Sequence, residues 1–429
     1  MRESRIIRVA ILGFGTVGRG VYDLMQRREN ELEEKTGLRA QVARILVRDA
    51  GRSRDGVDQA LITDRFEEIL ADDSIDIVVE VMGGIEPART YITEALKSGK
   101  SVVTANKDLM AVHGGELLSL AGSMERDLLF EASVAGGIPI IRPMKQCLAG
   151  NHITEIIGIV NGTTNYILTR MTQDGMEFSD ALAQATELGY AEADPTADVE
   201  GYDAGRKLAI LASIAFHSRV TFDDVHTEGI TKISAADIRY VKEMGCVIKL
   251  LAIARETGDG IEASVQPMLL PAAHPLASVN DVFNAVFVHG DAIDDAMFYG
   301  RGAGRYPTAS ACMGDIIDCM RNIHFRCMGR IGCSCYRSLP VKSMEETMQR
   351  YFLRLQVEDK PGVLACIASV MGRHGVSVKQ MVQKPIQNNS AELVLISDSV
   401  READFCDALE EFRGMDMIYE VSSLIRVYE

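Results

Sequence analysis

Apolar and polar residues alternate along the first third of the chain in a pattern that predicts parallel strands separated by helices. Residues Ile6–Leu12 form a β-rich apolar run, which is typical of a strand that a sheet buries on both faces. The strands predicted after it are Gln41–Val47, Ile75–Val81, Lys100–Thr104 and Leu128–Glu131, and the helices predicted between them are Thr16–Lys35, Phe66–Leu70 and Pro87–Ser98. This order predicts a doubly wound, Rossmann-type α/β domain over residues 1–145.

The pattern changes near Cys147, and a second, α+β domain is predicted over residues 146–304. Its predicted strands are Ile153–Val160, Ile261–Leu270 and Val282–His289, and its predicted helices are Tyr166–Met171, Phe178–Leu188, Val199–His217 and Gly245–Glu256. A helix over about 305–322 is expected to complete the first domain. Residues 323–348 are expected to form a linker with little regular structure.

The last section, residues 349–429, has the order β-α-β-β-α-β, which predicts a ferredoxin-like unit with its own core. It carries no cluster of catalytic side chains, so a regulatory or binding role is favoured. The predicted fold class of the whole chain is therefore α/β, with an α+β domain in the middle and a ferredoxin-like module at the end.

Composition narrows the class of protein. The 429 residues are 47% hydrophobic and 25% charged, and the net charge of −16 argues against a nucleic-acid binder, which needs a basic face. No apolar run reaches the length of a membrane span and no leader pattern opens the chain, so a cytoplasmic protein is expected. The nine cysteines include no Cys-x-x-Cys pair, and we interpret them as reduced thiols without a metal.

A Gly-x-Gly-x-x-Gly motif follows the first strand directly and opens a helix. In that position it predicts dinucleotide binding, because its glycines allow a tight turn and let a pyrophosphate approach the helix N-terminus. Its residues are Gly13, Phe14, Gly15, Thr16, Val17 and Gly18. Arg48 at the end of the second strand favours NADP(H), whereas Asp49 beside it leaves NAD(H) open.

Further candidate ligand contacts lie at strand ends and in Gly-rich or irregular loops. Gly83, Thr104 and Lys107 stand at or just after predicted strand ends, and open α/β sheets bind ligands at the carboxyl edge. Gly302 belongs to a third Gly-rich loop ahead of a helix. The irregular loop Ala132–Pro139 holds two glycines and a proline and can direct several carbonyls at a cation, although a plain loop is the simpler reading.

The stretch Leu188–Leu208 concentrates acidic residues ahead of a lysine. Asp203 and Lys207 are four residues apart, so a helix presents both on one face. The pair suits a site for an ammonium-bearing substrate with a lysine acid/base. The alternative is an exposed ion pair worth about 0.3–0.5 kcal/mol.

Together these motifs resemble homoserine dehydrogenase of the single-function bacterial type with a C-terminal ACT domain. The motifs that carry the resemblance are Leu12–Gly18, Thr104–Lys107, Glu131–Pro139, Gly158–Asn165, Leu188–Leu208, Gly302–Thr308 and, in the last module, Asp359–Leu364. The resemblance implies interconversion of L-homoserine and L-aspartate 4-semialdehyde with NAD or NADP. It also implies feedback inhibition by threonine through the ACT domain, and a homodimer or homotetramer.

The resemblance further implies roles for individual residues. Lys207 matches the acid/base lysine, Asp203 a residue that orients substrate, and Lys107 a lysine near the nicotinamide and the reacting oxygen. Glu192 and Asp198 match residues that bind the substrate ammonium. The cofactor contacts implied are Gly15, Thr16, Val17, Lys107 and Gly302, and the backbone carbonyls implied to hold a structural sodium ion are those of Glu131, Val134, Gly136 and Ile138.

The chain departs from the family pattern in the cysteine-rich segment from Cys312 to Cys335, which puts the linker in doubt rather than the activity. Two alternatives stay open. One is a related oxidoreductase that acts on another amino-acid semialdehyde or hydroxy acid. The other is an amino-acid sensor without catalytic activity.

Overall fold

The computed structural model describes residues 5–386 and 389–428 of the chain. The strands are β1 (Ile6–Leu12), β2 (Arg39–Leu46), β3 (Ile62–Thr63), β4 (Ile75–Glu80), β5 (Ser101–Thr104), β6 (Leu128–Leu129), β7 (Ile153–Ile159), β8 (His226–Thr227), β9 (Cys246–Thr257), β10 (Gly260–Pro271), β11 (Phe283–Gly290), β12 (Asp294–Arg301), β13 (Met348–Glu358), β14 (Val378–Ile386), β15 (Ser390–Ser397), β16 (Val400–Arg401) and β17 (Ile418–Val427). The helices are α1 (Thr16–Arg27), α2 (Glu29–Thr36), α3 (Phe66–Leu70), α4 (Ala88–Lys97), α5 (Lys107–Ser123), α6 (Gly162–Asp174), α7 (Phe178–Glu187), α8 (Thr196–Val199), α9 (Tyr202–Ala215), α10 (Ala235–Glu243), α11 (Arg305–Phe325), α12 (Val363–Arg373) and α13 (Glu402–Arg413).

The chain divides into two compact units. The first contains the residues up to Ile156 together with Arg206–Asp224 and Asn284–Leu339, and the second contains Ile157–Gly205, Val225–Phe283 and Pro340–Glu429. Each unit is therefore assembled from segments that are far apart in sequence.

The first unit contains a six-stranded sheet in the order β3-β2-β1-β4-β5-β6, in which every pairing is parallel. This order matches the Rossmann arrangement, so the predicted fold class is confirmed. Strand β1 lies at the centre of this sheet, where its side chains Ile7, Val9 and Ile11 are fully buried. Helix α11 packs against α1 and adds Ala309 and Ile316 to the same core.

The predicted single helix over Thr16–Lys35 is wrong, because the chain forms α1 and α2 with a break at Arg28. Arg28 has φ −118° and ψ 19°, outside the helical region. Arg27 ends α1 whereas Glu29 and Glu31 occupy the first turn of α2. Basic residues at a helix end and acidic residues at a helix start are favoured by the helix dipole, so the charges did carry a signal for the break.

The second unit contains strands in the order β9-β10-β17-β13-β15-β14. The prediction of a helix over Gly245–Glu256 is wrong: these residues form β9, which pairs antiparallel with β10 along its whole length. Residues Ile248 to Ala254 are buried without interruption. A short run that is apolar on every side fits a buried helix and a buried strand equally well, so pairing with β10 decides the conformation.

The C-terminal module has the predicted order β13-α12-β14-β15-α13-β17. Its sheet continues into β10 through the parallel pair β10–β17. Arg426 of β17 ion-pairs with Glu402 of α13 and with Glu228 (2.8 Å), and Arg354 of β13 pairs with Asp237 of α10 (2.8 Å). The module is thus joined to the rest of the second unit by a shared sheet and by buried charge pairs.

Residues after Phe325 have little regular structure as far as Leu339, as predicted, but they are tied to the rest of the first unit. Arg337 N donates to His217 O (2.8 Å), Leu339 N donates to Ser218 Oγ (2.8 Å), and Tyr336 stacks on His217. In the part of the chain that the structure describes, no helix is long and apolar enough to cross a membrane.

Candidate active site

The turn between β1 and α1 accepts only glycine at two of its positions. Gly13 has φ +97°, and a Cβ at Gly18 would stand 2.1 Å from Gly13 O. Gly15 forms the N-cap of α1 and has open space around its Cα. The backbone is therefore uncovered at Gly15 and Thr16, where the amide groups at the start of the helix have no partner within the helix.

A second turn after β4 is shaped by a buried carboxylate that the sequence interpretation missed. Glu80 accepts hydrogen bonds from Met82 N (2.8 Å), Gly83 N (3.3 Å) and Thr104 Oγ1 (2.7 Å). Glu80 and Thr104 are fully buried. Thr104 therefore supports the Met82–Gly83 turn from below, and its hydroxyl is not directed at a ligand.

The two turns line one pocket of about 570 Å³, a volume typical of a small-molecule site. The structure places five of the predicted cofactor residues around it, namely Gly13, Phe14, Gly15, Arg48 and Gly83. Arg52 and Arg54 also line it. The carboxylate of Asp49 accepts a hydrogen bond from Gly51 N (3.0 Å), so it is used in closing its own turn.

The next strand end carries Lys107. Asn106 caps α5, because its Oδ1 accepts from Leu109 N (3.1 Å) while its Nδ2 donates to Gly84 O (2.6 Å). Lys107 is the first residue of α5, and Asp108 beside it ion-pairs with Arg206 of α9 (3.3 Å). The start of α5 is thereby held next to the residue that precedes Lys207.

Two carboxylates of the acidic stretch converge on one amide in the second unit. Asn161 Nδ2 donates to Asp198 Oδ1 (2.7 Å) and to Asp203 Oδ2 (2.8 Å). Asn161 and Asp203 are each about 5% exposed. Helix α9 then carries Asp203 and, one turn later, the half-buried Lys207.

The other acidic residues of the stretch have different surroundings. Asp194 accepts from Thr196 N (3.1 Å) and Thr196 Oγ1 (2.6 Å), and these bonds lower its pKa. Glu200 accepts from Thr231 Oγ1 (3.2 Å). Glu192, predicted to bind the substrate ammonium, is exposed and takes no part in the bonds to Asn161.

The predicted cation loop is buried from Glu131 to Gly136, and Ile138 is buried as well. Ala135 (φ +54°) and Gly136 (φ +51°) both adopt left-handed conformations. A Cβ at Gly136 would stand 2.1 Å from Gly302 O. The backbones of the loops that hold Gly136 and Gly302 are therefore in direct contact.

The Glu131 side chain binds three successive backbone amides, a role that the sequence does not indicate. Its carboxylate accepts from Ile140 N (2.6 Å), Ile141 N (2.7 Å) and Arg142 N (2.7 Å). The Glu131 carboxylate is thus occupied by backbone amides, and its backbone carbonyl is the group that suits the predicted cation. Among residues 5–386 and 389–428, no group of three or more His, Cys, Asp or Glu side chains has the geometry of a metal site.

Three family models match the chain. Residues 13–131 match "Homoserine dehydrogenase, NAD binding domain", residues 139–317 match "Homoserine dehydrogenase" and residues 351–414 match "ACT domain". With the Rossmann sheet and its pocket, these matches define an NAD(P)-dependent oxidoreductase that carries an ACT regulatory domain. The chain belongs to the homoserine dehydrogenase family.

Individual relatives extend the agreement to the whole chain. The homoserine dehydrogenase of Corynebacterium glutamicum is 47% identical over 98% of this chain and 95% of its own length. The crystal structure of a homoserine dehydrogenase from Thiobacillus denitrificans has a TM-score of 0.94 and 38% identity, and the match covers 99% of both chains. A hyperthermophilic archaeal homoserine dehydrogenase in complex with NADPH has a TM-score of 0.63 and 28% identity over 73% of this chain and 97% of its own.

Proposed function

We propose that this chain interconverts L-homoserine and L-aspartate 4-semialdehyde in the biosynthesis of threonine, methionine and isoleucine, with Lys207 as the acid/base. The observation that carries this assignment is the arrangement on α9. Asp203 is held at one position by a buried amide, and Lys207 follows on the same face one turn later. A rigid carboxylate and a half-buried lysine are the groups that an amino alcohol substrate requires.

In the oxidation direction Lys207 takes the hydroxyl proton of homoserine, and in the reduction direction it protonates the forming alkoxide. Asp203 orients the substrate, directly or through water. Lys107 begins α5, just after β5 ends at the carboxyl edge of the sheet. We assign it to the reacting oxygen, which its positive charge polarises. The bound nicotinamide supplies the acceptor or donor of the hydride.

We propose that Asp198 binds the substrate ammonium and that Glu192 binds it too, as the family resemblance implies. Asp198 is supported by its fixed position beside Asp203. Glu192 is supported by the resemblance alone, because its side chain is exposed. A substitution at Asp198 is therefore expected to raise KM for homoserine more than the same substitution at Glu192.

For the cofactor we favour NADP over NAD. Three arginines, Arg48, Arg52 and Arg54, line the pocket of the Gly-rich turn. Asp49 lines the same pocket, with one carboxylate oxygen accepting from Gly51 N, and is outnumbered by these positive charges. The pyrophosphate is assigned to the amide groups of Gly15, Thr16 and Val17. Gly302 contributes a backbone contact from its loop.

We also assign a structural sodium ion to the carbonyls of Glu131, Val134, Gly136 and Ile138. The loop is buried, and the two consecutive left-handed residues Ala135 and Gly136 bend its backbone as a ring of carbonyl ligands would require. Because backbone carbonyls carry no charge, the site suits a monovalent ion.

For the effector we propose L-threonine, bound to the ACT domain. A pocket of about 360 Å³ lies where β13 turns into α12, and its lining includes Asp359, Lys360 and Gly362. Acidic and basic groups side by side suit the ammonium and carboxylate of an amino acid.

The proposed domain limits are residues 1–145 with the helix at 305–322 for the cofactor domain, 146–304 for the catalytic domain, 323–348 for the linker and 349–429 for the ACT domain. The proposed assembly is a homodimer or homotetramer.

The decisive assay measures reduction of NADP+ and of NAD+ by L-homoserine with the intact chain and with Lys207→Ala. The variant is expected to lose about a hundredfold or more in kcat, the usual scale for an acid/base group. Lys97→Ala, which changes an exposed lysine of α4, serves as the control. Full activity in Lys207→Ala would show that another group is the acid/base, and Lys107 would be the first residue to test.

The effector proposal is tested on the full chain, because β17 pairs with β10 and a truncation would expose that strand. Asp359→Ala is expected to weaken inhibition by threonine at least tenfold while the uninhibited rate stays unchanged. Asp404→Ala, on the exposed face of α13, is the matched control. Unaltered inhibition in Asp359→Ala would place threonine elsewhere.

A further inference from the structure

Asn161 stands at the point where β7 ends and α6 begins, and it is 5% exposed. Its side chain makes hydrogen bonds with both of its polar atoms. The oxygen accepts from Thr164 N (2.9 Å) and Thr164 Oγ1 (3.0 Å), which makes Asn161 the N-cap of α6. The nitrogen donates to Asp198 and Asp203.

The helix cap determines which way the amide faces. Because Oδ1 is committed to Thr164, the NH2 group must point at the two carboxylates, and its two hydrogens provide one donor for each. Oδ1 of Asp198 and Oδ2 of Asp203 are consequently held on either side of a single nitrogen. A shorter or differently branched side chain cannot do both.

One neutral amide donates to an oxygen of each carboxylate, so a single residue fixes the positions of both side chains. Carboxylates bind an ammonium group through charge-assisted hydrogen bonds, which depend on distance and direction. Fixed carboxylates therefore favour one orientation of an ammonium-bearing substrate.

The first turn of α6 is also anchored independently of Asn161. Thr163 Oγ1 donates to Tyr190 O (2.8 Å), and Asn165 Nδ2 donates to three backbone carbonyls. The buried ammonium of Lys249 donates to Asn165 Oδ1 (3.1 Å). A substitution at Asn161 that keeps the cap should therefore leave the helix in place.

We propose that Asn161 is a positioning residue that holds two carboxylates in place for the substrate: Asp198, which binds its ammonium, and Asp203, which orients it. The proposal rests on the function proposed above, since it takes the pair as part of the homoserine site. It goes further, because it predicts that one amide nitrogen decides the affinity for substrate but contributes nothing to cofactor binding.

The test uses Asn161→Asp, which has the same shape and keeps an oxygen for the Thr164 cap but replaces the donor nitrogen by an acceptor. Both hydrogen bonds from Asn161 to the carboxylates are lost, and a new acceptor faces them instead. KM for L-homoserine is therefore expected to rise at least about tenfold, which corresponds to about 1.4 kcal/mol. KM for NADP+ should stay within about twofold, although the unfolding temperature falls because a buried donor is lost.

Asn322→Asp provides a matched control, because Asn322 is also buried and its Nδ2 donates to a carboxylate, that of Asp127 (3.0 Å). This variant is expected to lose stability without a selective rise in KM for homoserine. Asn161→Ser, which can cap the helix but cannot reach both carboxylates, should behave like Asn161→Asp.

The outcomes separate this proposal from the function on which it rests. A wild type without turnover on homoserine would overturn the function and this role with it. An active wild type with unchanged KM in Asn161→Asp would overturn the positioning role alone. A variant in which kcat falls while KM for homoserine and KM for NADP+ rise together would show a structural role and also overturn the proposal.

Discussion

Glu131→Gln tests a buried carboxylate of the first unit that accepts three hydrogen bonds from backbone amides. The Glu131 side chain is buried, and its two oxygens accept three backbone hydrogen bonds from Ile140, Ile141 and Arg142. Glutamine has nearly the same shape, but its amide nitrogen must face a donor. With its oxygen directed at Ile140 and Ile141, the NH2 group opposes the N–H of Arg142.

The cost can be estimated from these contacts. A hydrogen bond to a charged group contributes about 1.5–3 kcal/mol and a neutral one about 0.5–1.5 kcal/mol. One charged bond is lost and two become neutral, which amounts to roughly 3–6 kcal/mol. Removing a buried negative charge offsets part of this, because the pKa of Asp315 is raised mainly by burial and further by the charge of Glu131. We expect a net loss of about 2–4 kcal/mol by these figures.

Urea unfolding followed by circular dichroism measures this loss, since the chain contains no Trp for fluorescence. Glu116→Gln is the control, because Glu116 is exposed and its partner Arg89 lies at the surface. Its urea midpoint should match that of the wild type. A free energy of unfolding for Glu131→Gln within about 1 kcal/mol of the wild-type value would refute this reasoning, since even one unpaired buried donor costs that much.

Three further predictions follow from individual contacts. Gly18→Ala should abolish cofactor binding measured by fluorescence of NADPH, because the new Cβ would stand 2.1 Å from Gly13 O. Lys249→Met should lower the urea midpoint, because it removes the donor to the buried Asn165 Oδ1, at about 1–3 kcal/mol for an unpaired buried group. Burial opposes ionisation of Glu228, but His226 and Arg426 lower its pKa to about 2. The stability from this ionised group is present above about pH 4.5 and lost as pH falls towards 2, so thermal unfolding of Glu228→Gln should change less over that range than that of the wild type.

Most of the elements could be predicted because their signals are local. The apolar run of β1, the glycines after it and the β-α-β-β-α-β order of the last module depend on residues that are neighbours in sequence. The errors occurred where distant partners decide. Strand β9 pairs with β10 over twelve residue pairs, and its run of buried residues contains nothing that excludes a helix.

The candidate site divides in the same way. The turn at Gly13–Gly18 could be recognised, because dinucleotide binding requires glycines at those intervals, and the spacing of Asp203 and Lys207 predicts that both lie on one helix face. The bonds from backbone amides to Glu131 and to Glu80 could not be predicted. Each joins a side chain to backbone groups whose position depends on how the loop is folded.

The sequence by itself determined the class of this protein, its cofactor-binding turn and the helix that carries Lys207, since each rests on short-range spacing. Tertiary structure alone decided that Asn161 meets both Asp198 and Asp203, across 37 and 42 residues of chain. The physical reason is that a hydrogen bond depends on distance and direction in space, to which separation along the chain is no guide. The packing of α6 against α8 brings these three side chains together.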